Sequence, residues 1–382
     1  MKRIFLFFLF ITVFQLSKAQ VIVETIYSEK LQQERQLKIL LPKGYSDTDK
    51  KDYPIIVVLD GDYLFELVTG NTDYYSYWED IPKVIVVGIN QADFRYDDMN
   101  YSEQNSLPIE SGANFFEFIG MEVLPFVQSK FKTKAFKVAV GHGETANFIN
   151  YYLLKEKPLF NAFICISPDF APEMPNYLAE SLAKIKSKIF YYLATSKNDV
   201  QHIKEVTNMF HDKLKIIDNK NVLYNFDEFE APSHYTMPAH ALPKALENIF
   251  LVFQPISKKE YTDNILKLEG SPVEYLVEKY QTINDLFGIK KQILVNDFKA
   301  IAAAIEKTKN FEYFEPLSKI AKKEYPDAML GHYYLARFYE QTGEPKKAMR
   351  TYQSGYILEE IGGLTKDMML DKADAIKADF GY

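Results

Sequence analysis

The sequence predicts an α/β protein with a doubly wound, mostly parallel sheet, followed by a small all-α region. Up to about residue 250, short apolar runs alternate with stretches of helical periodicity, which is the pattern of a parallel sheet covered by helices on both faces. From about Lys258 onward no strand is indicated, and alanine, lysine, glutamate and tyrosine recur at helical spacing. The length of 382 residues suits one large domain and a smaller one.

The N-terminal stretch has the composition of a secretory signal peptide. A basic start precedes an apolar run over residues 4–14, which is followed by Ser17-Lys18-Ala19. We expect residues 1–19 to be removed by cleavage after Ala19 and the protein to be exported, to the periplasm or out of the cell. The apolar run is too short to span a bilayer comfortably, so no transmembrane segment is expected after cleavage.

Composition limits the classes of ligand and partner. The net charge of -7, with no basic patch, argues against a nucleic-acid partner. The only cysteine, Cys165, lies in an apolar run, so we expect a buried thiol and no intramolecular disulfide. No group of residues has the spacing of a metal site, and no glycine-rich phosphate loop follows a strand. The sequence therefore implies no cofactor.

Eight runs predict the strands of the sheet, at residues 21–25, 37–41, 54–59, 83–89, 138–140, 160–167, 188–193 and 221–229. The run at 54–59 is apolar throughout, which is typical of a strand buried on both faces of a parallel sheet, and the run at 83–89 repeats this pattern after Lys83. Residues 114–131 have one apolar face and predict a helix, kinked at Pro125. Residues 239–250 predict the helix that closes the domain, which we place at residues 20–255.

The strand at 138–140 runs into Gly141-His142-Gly143-Glu144-Thr145, and a helical pattern follows. Strand, sharp turn and helix form the setting of a nucleophile elbow, whose usual motif is G-x-S-x-G. Here Gly143 stands where the serine is expected, and Thr145 replaces the last glycine. The elbow is predicted, but its nucleophile is absent.

Residues 256–382 predict a helical domain with a tetratricopeptide-like pattern. Six residues at the spacing of one repeat carry this prediction, Leu335, Ala336, Tyr339, Gly343, Ala348 and Tyr352. An earlier, partial repeat has Ala302, Ala321 and Pro326, whereas Gly355 and Glu360 depart from the pattern. A generic helical hairpin is the alternative. If the repeat forms, we expect its concave face to bind a protein partner.

Several motifs resemble one family, in the order in which that family has them. They are Tyr53-Pro54 with Leu59-Asp60-Gly61, the segment 81–89 followed by Arg95 and Asp98, the helix at 115–125, and Ile166-Ser167-Pro168. Over about residues 28–250 the chain resembles the putative-esterase family of α/β-hydrolases, which includes S-formylglutathione hydrolase and the enterobactin esterases. The helical tail resembles one found on some bacterial members. The resemblance implies an α/β-hydrolase fold, while function has to be argued from the site.

The resemblance places the base of a hydrolase at His234, in a turn after the last predicted strand. Asp199, just past the strand at 188–193, is the best candidate for the acid, and the two follow the elbow in the chain order of this fold. The alternatives are an ordinary loop histidine and a solvated turn aspartate or helix cap. His142, in the elbow, is expected to point away from the reaction.

An oxyanion hole needs two donors aimed at developing charge. We expect one from the backbone N–H of Glu144 and the other from the turn at Gly61-Asp62. Ordinary polar turns at strand ends are the alternative. Gly143 has no nucleophilic atom, so no acyl-enzyme forms there. Thr145, Ser167 and Ser233 are not persuasive substitutes.

Two functions from different classes follow. The first is an inactive relative of secreted esterases, which binds a small ester-like ligand in the old cleft or a protein partner through the tail. The second is a working carboxylic-ester hydrolase that uses another nucleophile or a water activated by His234. A third reading makes the hydrolase domain a rigid support for the tail. Residues 74–78 are predicted to form an aromatic loop that is a candidate cleft wall, and ordinary packing of a cap is the alternative.

Overall fold

The computed structural model describes residues 21–48 and 51–382, so the predicted signal peptide lies outside the described residues. These residues form two compact units. The first contains the residues up to Asp73 together with Lys83–Thr133 and Lys137–Leu242. The second contains Tyr74–Pro82, Lys134–Phe136 and Pro243–Tyr382. The domain division after residue 255 stays a prediction.

The described residues contain an eight-stranded sheet. Its strands are β1 (Val21–Ser28), β2 (Gln33–Leu40), β3 (Tyr53–Val58), β4 (Ile85–Ile89), β5 (Thr133–His142), β6 (Ala162–Ile166), β7 (Ile189–Asn198) and β8 (Val222–Ser233). They are arranged in the order β1-β2-β4-β3-β5-β6-β7-β8. The pairs β1–β2 and β2–β4 are antiparallel and the others are parallel. The predicted mixed, mostly parallel sheet is therefore present.

Helices connect these strands. They are α1 (Phe65–Tyr77), α2 (Arg95–Asp98), α3 (Glu110–Phe118), α4 (Leu124–Lys130), α5 (Glu144–Ile149), α6 (Met174–Lys184), α7 (Gln201–Leu214) and α8 (Met237–Ile249). The helix predicted at 114–131 consists of α3, a π-helical turn at Ile119–Val123, and α4. Pro125 lacks the N–H that an α-helix needs at that position, and the backbone widens just before it.

The prediction of a loop at 74–78 was wrong for most of that stretch, because α1 continues to Tyr77. Gly70 and Asn71 lie in the middle of α1, and both residue types have low helix propensity. The local pattern therefore did not indicate a helix there.

The core of the first unit lies around the central strands. Every residue of β3, β4 and β6 is buried, as continuous apolar runs predict for strands covered on both faces. Cys165 on β6 is fully buried and unpaired, and burial raises the pKa of its thiol to about 12. The thiol is therefore protonated and inert at neutral pH.

Helices dominate the C-terminal part of the second unit. They are α9 (Lys258–Asp263), α10 (Pro272–Phe287), α11 (Val295–Thr308), α12 (Phe314–Glu324), α13 (Leu330–Gln341), α14 (Pro345–Gly355) and α15 (Lys366–Phe380). Ala336, Ala348 and Tyr352 are fully buried in one apolar cluster with Met329 and Met369. The tetratricopeptide assignment itself stays a prediction. Among the described residues, no helix has the length and apolar character needed to cross a membrane.

The close packing of α13 on α12 depends on Gly331. A Cβ at this position would lie 2.8 Å from the backbone N of Lys322 and 3.0 Å from the backbone O of Ser318, and backbone atoms cannot rotate away. We expect Gly331→Ala to destabilise the protein by about 1–3 kcal/mol, measured as a lower melting temperature. Gly70→Ala is the control, because no atom lies within 4 Å of its Cβ position. Equal melting temperatures for the two variants would contradict this close approach.

Candidate active site

The elbow turn is built around Gly143, between β5 and α5. Its backbone angles, φ +62° and ψ −125°, lie in a region that residues with a Cβ rarely adopt. The amide of Gly143 donates to the carbonyl of Ile166 at 3.1 Å, and its own carbonyl accepts from the amides of Ala146 and Asp169, both at 3.1 Å. The sharp turn predicted from the sequence is therefore present, held by backbone hydrogen bonds.

Thr145 takes a structural role at the position where the motif has its last glycine. Its hydroxyl lies 2.8 Å from Oδ2 of Asp60 and accepts from the amide of His142 at 3.0 Å. The side chain is fully buried. Gly141 is needed for a different reason, since a Cβ there would lie 2.5 Å from the backbone of Thr145. Thr145, which replaces the last glycine of G-x-S-x-G, therefore links the elbow to Asp60 by a hydrogen bond.

Asp199 and His234 meet at the carboxyl ends of two neighbouring strands. Nδ1 of His234 donates to Oδ1 of Asp199 at 2.8 Å. Asp199 follows β7 and His234 follows β8, and these strands pair in parallel out to Asn198 and Ser233. This pairing brings together two residues that are 35 positions apart in the chain.

The carboxylate of Asp199 is buried and well satisfied. It also accepts from the hydroxyl of Thr195 at 3.0 Å and from the amide of Val200 at 2.8 Å. Burial by itself raises the pKa of Asp199, but the hydrogen bonds that it accepts, first of all from His234, lower the pKa overall. Asp199 is therefore ionised at neutral pH. It orients the imidazole so that Nε2 is free to act as a base.

Nε2 of His234 faces the elbow. A Cβ at Gly143 would lie 3.5 Å from this nitrogen and 3.9 Å from Nη2 of Arg95. Both are ordinary van der Waals distances, so the turn has room for a side chain. The structure thus brings together Asp199, His234 and Gly143, the positions predicted for the acid, the base and the nucleophile. Their catalytic roles stay predictions.

The two predicted oxyanion donors differ in whether their backbone N–H already has a hydrogen-bond partner in the protein. The amide of Gly61 donates to the carbonyl of Ile89 at 2.8 Å, so its single hydrogen is engaged beside the sheet. Glu144 is the first residue of α5, and the amide of a first helical residue has no partner within its own helix. The oxyanion role of Glu144 stays a prediction.

Arg95 is a site residue that the analysis of local patterns missed. Its Nε donates to Oδ1 of Asp60 at 2.7 Å, and its Nη2 lies 3.3 Å from Oδ2. Its Nη1 forms a close ion pair with the carboxylate of Glu144. The only sequence signal was its place in the family motif with Asp98. Asp60 follows β3, Arg95 follows β4, and the two strands are neighbours in the sheet.

His142 lies closer to the site than expected. Its ring centroid is 4.4 Å from that of His234. Its Nε2 donates to the carbonyl of His234 at 3.0 Å, and its Nδ1 is 3.2 Å from the hydroxyl of Tyr63. Burial, followed by the nearby charge of His234, lowers the pKa of His142 to about 4. His142 is therefore neutral at physiological pH and supports the loop that carries His234.

The lowered pKa of His142 predicts a pH dependence of stability. An unfolded histidine titrates near 6.5, so below that pH the unfolded chain binds a proton that the folded protein does not. Stability should fall as pH drops from about 6.5 to about 4, by about 3 kcal/mol in total from this group. Melting temperatures of the native protein and His142→Gln, measured from pH 8 to pH 4, test this. Parallel pH profiles for the two proteins would contradict it.

A cavity of about 530 Å³ opens beside the elbow. Its lining consists of Tyr63, Arg95, His142, Gly143, Glu144, Asp169, Ile203, His234 and Tyr235. The aromatic stretch at 74–78 is not part of this lining. Within the described ranges, no cluster of three or more His, Cys, Asp or Glu residues is arranged to hold a metal ion.

A mixed, mostly parallel sheet that carries an Asp–His pair beside a strand–turn–helix elbow defines a class, the esterase-like α/β-hydrolases. Residues 28–213, just under half of the chain, match the family described as putative esterase. This supports an esterase-like α/β-hydrolase fold for that part of the chain. No curated protein matches the chain significantly.

Three solved structures have a similar fold. An uncharacterised protein from Capnocytophaga ochracea is 31% identical with a TM-score of 0.84, and the match covers 94% of this chain and 100% of that one. An IroE-like serine hydrolase from Shewanella oneidensis is 19% identical with a TM-score of 0.59, over 80% and 99% of the two chains. The BES protein from Bacillus cereus is 21% identical with a TM-score of 0.53, over 61% and 95%. At these lower identities, the last two support the fold alone.

Proposed function

We propose that this protein is an esterase-family member that binds a small ester-like ligand beside Gly143 without forming an acyl-enzyme. The observation that carries the proposal is the glycine at the elbow, within reach of an intact Asp199–His234 pair. Glycine has no atom that can attack a carbonyl. In a measured protease, loss of the serine alone lowers kcat by roughly 10⁶-fold.

The neighbouring hydroxyls do not replace the serine. Thr145 and Ser167 are fully buried, so a substrate in the cavity cannot reach them. The hydroxyl of Ser233 belongs to a capping box with Thr236. This supports the view that the site binds rather than cleaves by nucleophilic attack.

The second candidate is a hydrolase in which His234 activates a water molecule. The retained hydrogen bond between Asp199 and His234 favours it, because a site that only binds has no need of an oriented base. The space at Gly143 lies beside Nε2 of His234, where a substrate water could transfer its proton to the imidazole.

Hydrolysis of a short-chain aryl ester by the native protein and by His234→Ala distinguishes the two candidates. The first predicts that neither protein turns the ester over above the uncatalysed rate, while calorimetry shows binding of the ester to the native protein. Turnover by the native protein that His234→Ala abolishes would establish the second candidate. Absence of both turnover and binding would contradict the first.

Export is part of the proposal and rests on residues 1–19. We expect the mature protein, isolated from cells of its source, to begin at Gln20, which N-terminal sequencing measures. A retained Met1 in the cell interior would contradict export.

We also propose that the helical tail, residues 256–382, binds a protein partner. The support is the tetratricopeptide-like spacing of the tail sequence, a pattern that forms a concave face able to bind a peptide. Crosslinking with the full chain should give an adduct that maps to the tail. Adducts confined to residues before 256 would contradict a tail-mediated interaction.

A further inference from the structure

Two nitrogen atoms face the position that the missing side chain would fill. Nε2 of His234 and Nη2 of Arg95 are 3.5 Å and 3.9 Å from the Cβ position of Gly143. With any other residue at this position, a side chain would separate them from a ligand. With glycine, the space between them belongs to the cavity.

The guanidinium of Arg95 is fixed in place. Asp60, which is 2% exposed, holds it through Nε and Nη2. Asp60 is fixed in turn, because the hydroxyls of Tyr63 and Thr145 both contact its carboxylate, at 3.0 Å and 2.8 Å. A guanidinium held in this way recognises an anion without losing further conformational entropy.

A carboxylate of the chain already contacts the other side of this guanidinium. Glu144 pairs with Nη1 of Arg95, and its side chain is 52% exposed. Exposed ion pairs contribute little free energy, so Glu144 can leave Arg95 at small cost. The contact shows that the guanidinium of Arg95 can bind a carboxylate next to the elbow.

We infer that the space at Gly143 receives the carboxyl group of a carboxylic acid, bound between Nη2 of Arg95 and Nε2 of His234, with the proton of the acid shared between the carboxylate and Nε2. The inference rests on the proposed function and narrows its ligand class: a short-chain carboxylic acid, the acid half of an ester, which binds in this space more tightly than the intact ester does. A charge-assisted hydrogen bond from the Arg95 guanidinium holds a carboxylate more strongly than a neutral donor holds an ester carbonyl.

The rest of the cavity suits the hydrocarbon part of such an acid. Tyr63, Ile203 and Tyr235 contribute apolar surface to a volume of about 530 Å³. Glu144 and Asp169 also line it, and their negative charges oppose an anionic ligand. Binding should therefore be weak in the native protein and stronger once the charge of Glu144 is removed.

Isothermal titration of the native, full-length protein with sodium butyrate tests the inference, with methyl butyrate and 1-butanol as uncharged probes. We expect butyrate to bind at least about tenfold more tightly than either uncharged probe. Glu144→Gln should tighten butyrate binding about fivefold, since it removes one nearby like charge. Arg95→Gln should weaken it by about tenfold or more.

Gly143→Ala fills the space and should abolish butyrate binding. Because φ at this position is +62°, a Cβ can strain the turn, so the melting temperature of Gly143→Ala is compared with that of the native protein. The tighter butyrate binding expected for Glu144→Gln is a second test, which does not depend on how Gly143→Ala folds. Glu180→Gln is the matched control, since Glu180 is an exposed glutamate on α6, paired with Lys184 and absent from the cavity lining. It should bind butyrate as the native protein does.

The inference is overturned if neither the native protein nor Glu144→Gln binds butyrate. It is overturned equally if Arg95→Gln and a natively folded Gly143→Ala bind butyrate as the native protein does. Binding of methyl butyrate without butyrate would leave the proposed function standing and remove only the ligand class. Turnover of methyl butyrate by the native protein would overturn the proposed function. The ligand class would then still be tested by whether butyrate binds more tightly than the uncharged probes.

Discussion

Gly143→Ser should convert this protein into an active esterase, with kcat/KM for a short-chain aryl ester rising by roughly 10³- to 10⁶-fold over the native protein. The turn already has the angles of a nucleophile elbow, φ +62° and ψ −125°. A Cβ fits at 3.5 Å from Nε2 of His234, so a hydroxyl one bond further comes within hydrogen-bonding reach of it. The base is already oriented by Asp199 at 2.8 Å.

Three further variants identify the source of any gained activity. Gly143→Ala should gain nothing, because it adds a Cβ without a nucleophile. Adding His234→Ala or Asp199→Asn to Gly143→Ser should remove the gain, since the serine then lacks its base or the base lacks its orientation. A folded but inactive Gly143→Ser protein would contradict this prediction.

Arg35→Met should destabilise the protein by about 3–5 kcal/mol, because it leaves the buried carboxylate of Asp98 without an opposite charge. The two side chains are each 1% exposed and form two contacts, at 2.5 Å and 2.9 Å. Burial raises the pKa of Asp98, with Arg35 and then Gln91 acting in the opposite direction. Removing the guanidinium therefore removes the main group that keeps this carboxylate charged. Thermal melting at pH 7 measures the loss.

Two comparisons distinguish the cost of leaving a charge buried without its counter-charge from the cost of removing any positively charged side chain. Lys30→Met breaks an exposed pair with Glu117 and should cost about 1 kcal/mol or less. The double variant Arg35→Met/Asp98→Leu removes both charges and should be more stable than Arg35→Met alone. If Arg35→Met melts like Lys30→Met, the pair does not anchor α2, the short helix that also carries Arg95.

The strands were the most predictable part of the fold. A strand covered on both faces is apolar at every position, so the run at 54–59 indicated β3 (Tyr53–Val58) without any tertiary information. Helix α1 was less predictable, because Gly70 and Asn71 interrupt its pattern and packing overrides their low propensity. The tetratricopeptide assignment depends on how consecutive helices pack, and it stays a prediction.

At the site, each predicted residue could be identified from a short stretch of the chain. Which of these residues contact one another could not be identified in that way. Arg95 shows the difference. Nothing near it in the sequence indicates Asp60, 35 residues earlier. The pair forms because β3 and β4 lie side by side in the sheet and end at the same edge. Contacts of this kind depend on strand order, which local patterns do not encode.

The sequence by itself determined that glycine stands at position 143 however the chain folds, and it predicted the elbow around it because strand, turn and helix are local patterns. Only the tertiary structure decided that Asp199 and His234 meet, that Arg95 faces the same space as His234, and that the amide of Gly61 is engaged. Each of these depends on the pairing of strands that are distant in the chain, where a shift of one residue would point every side chain to the opposite face.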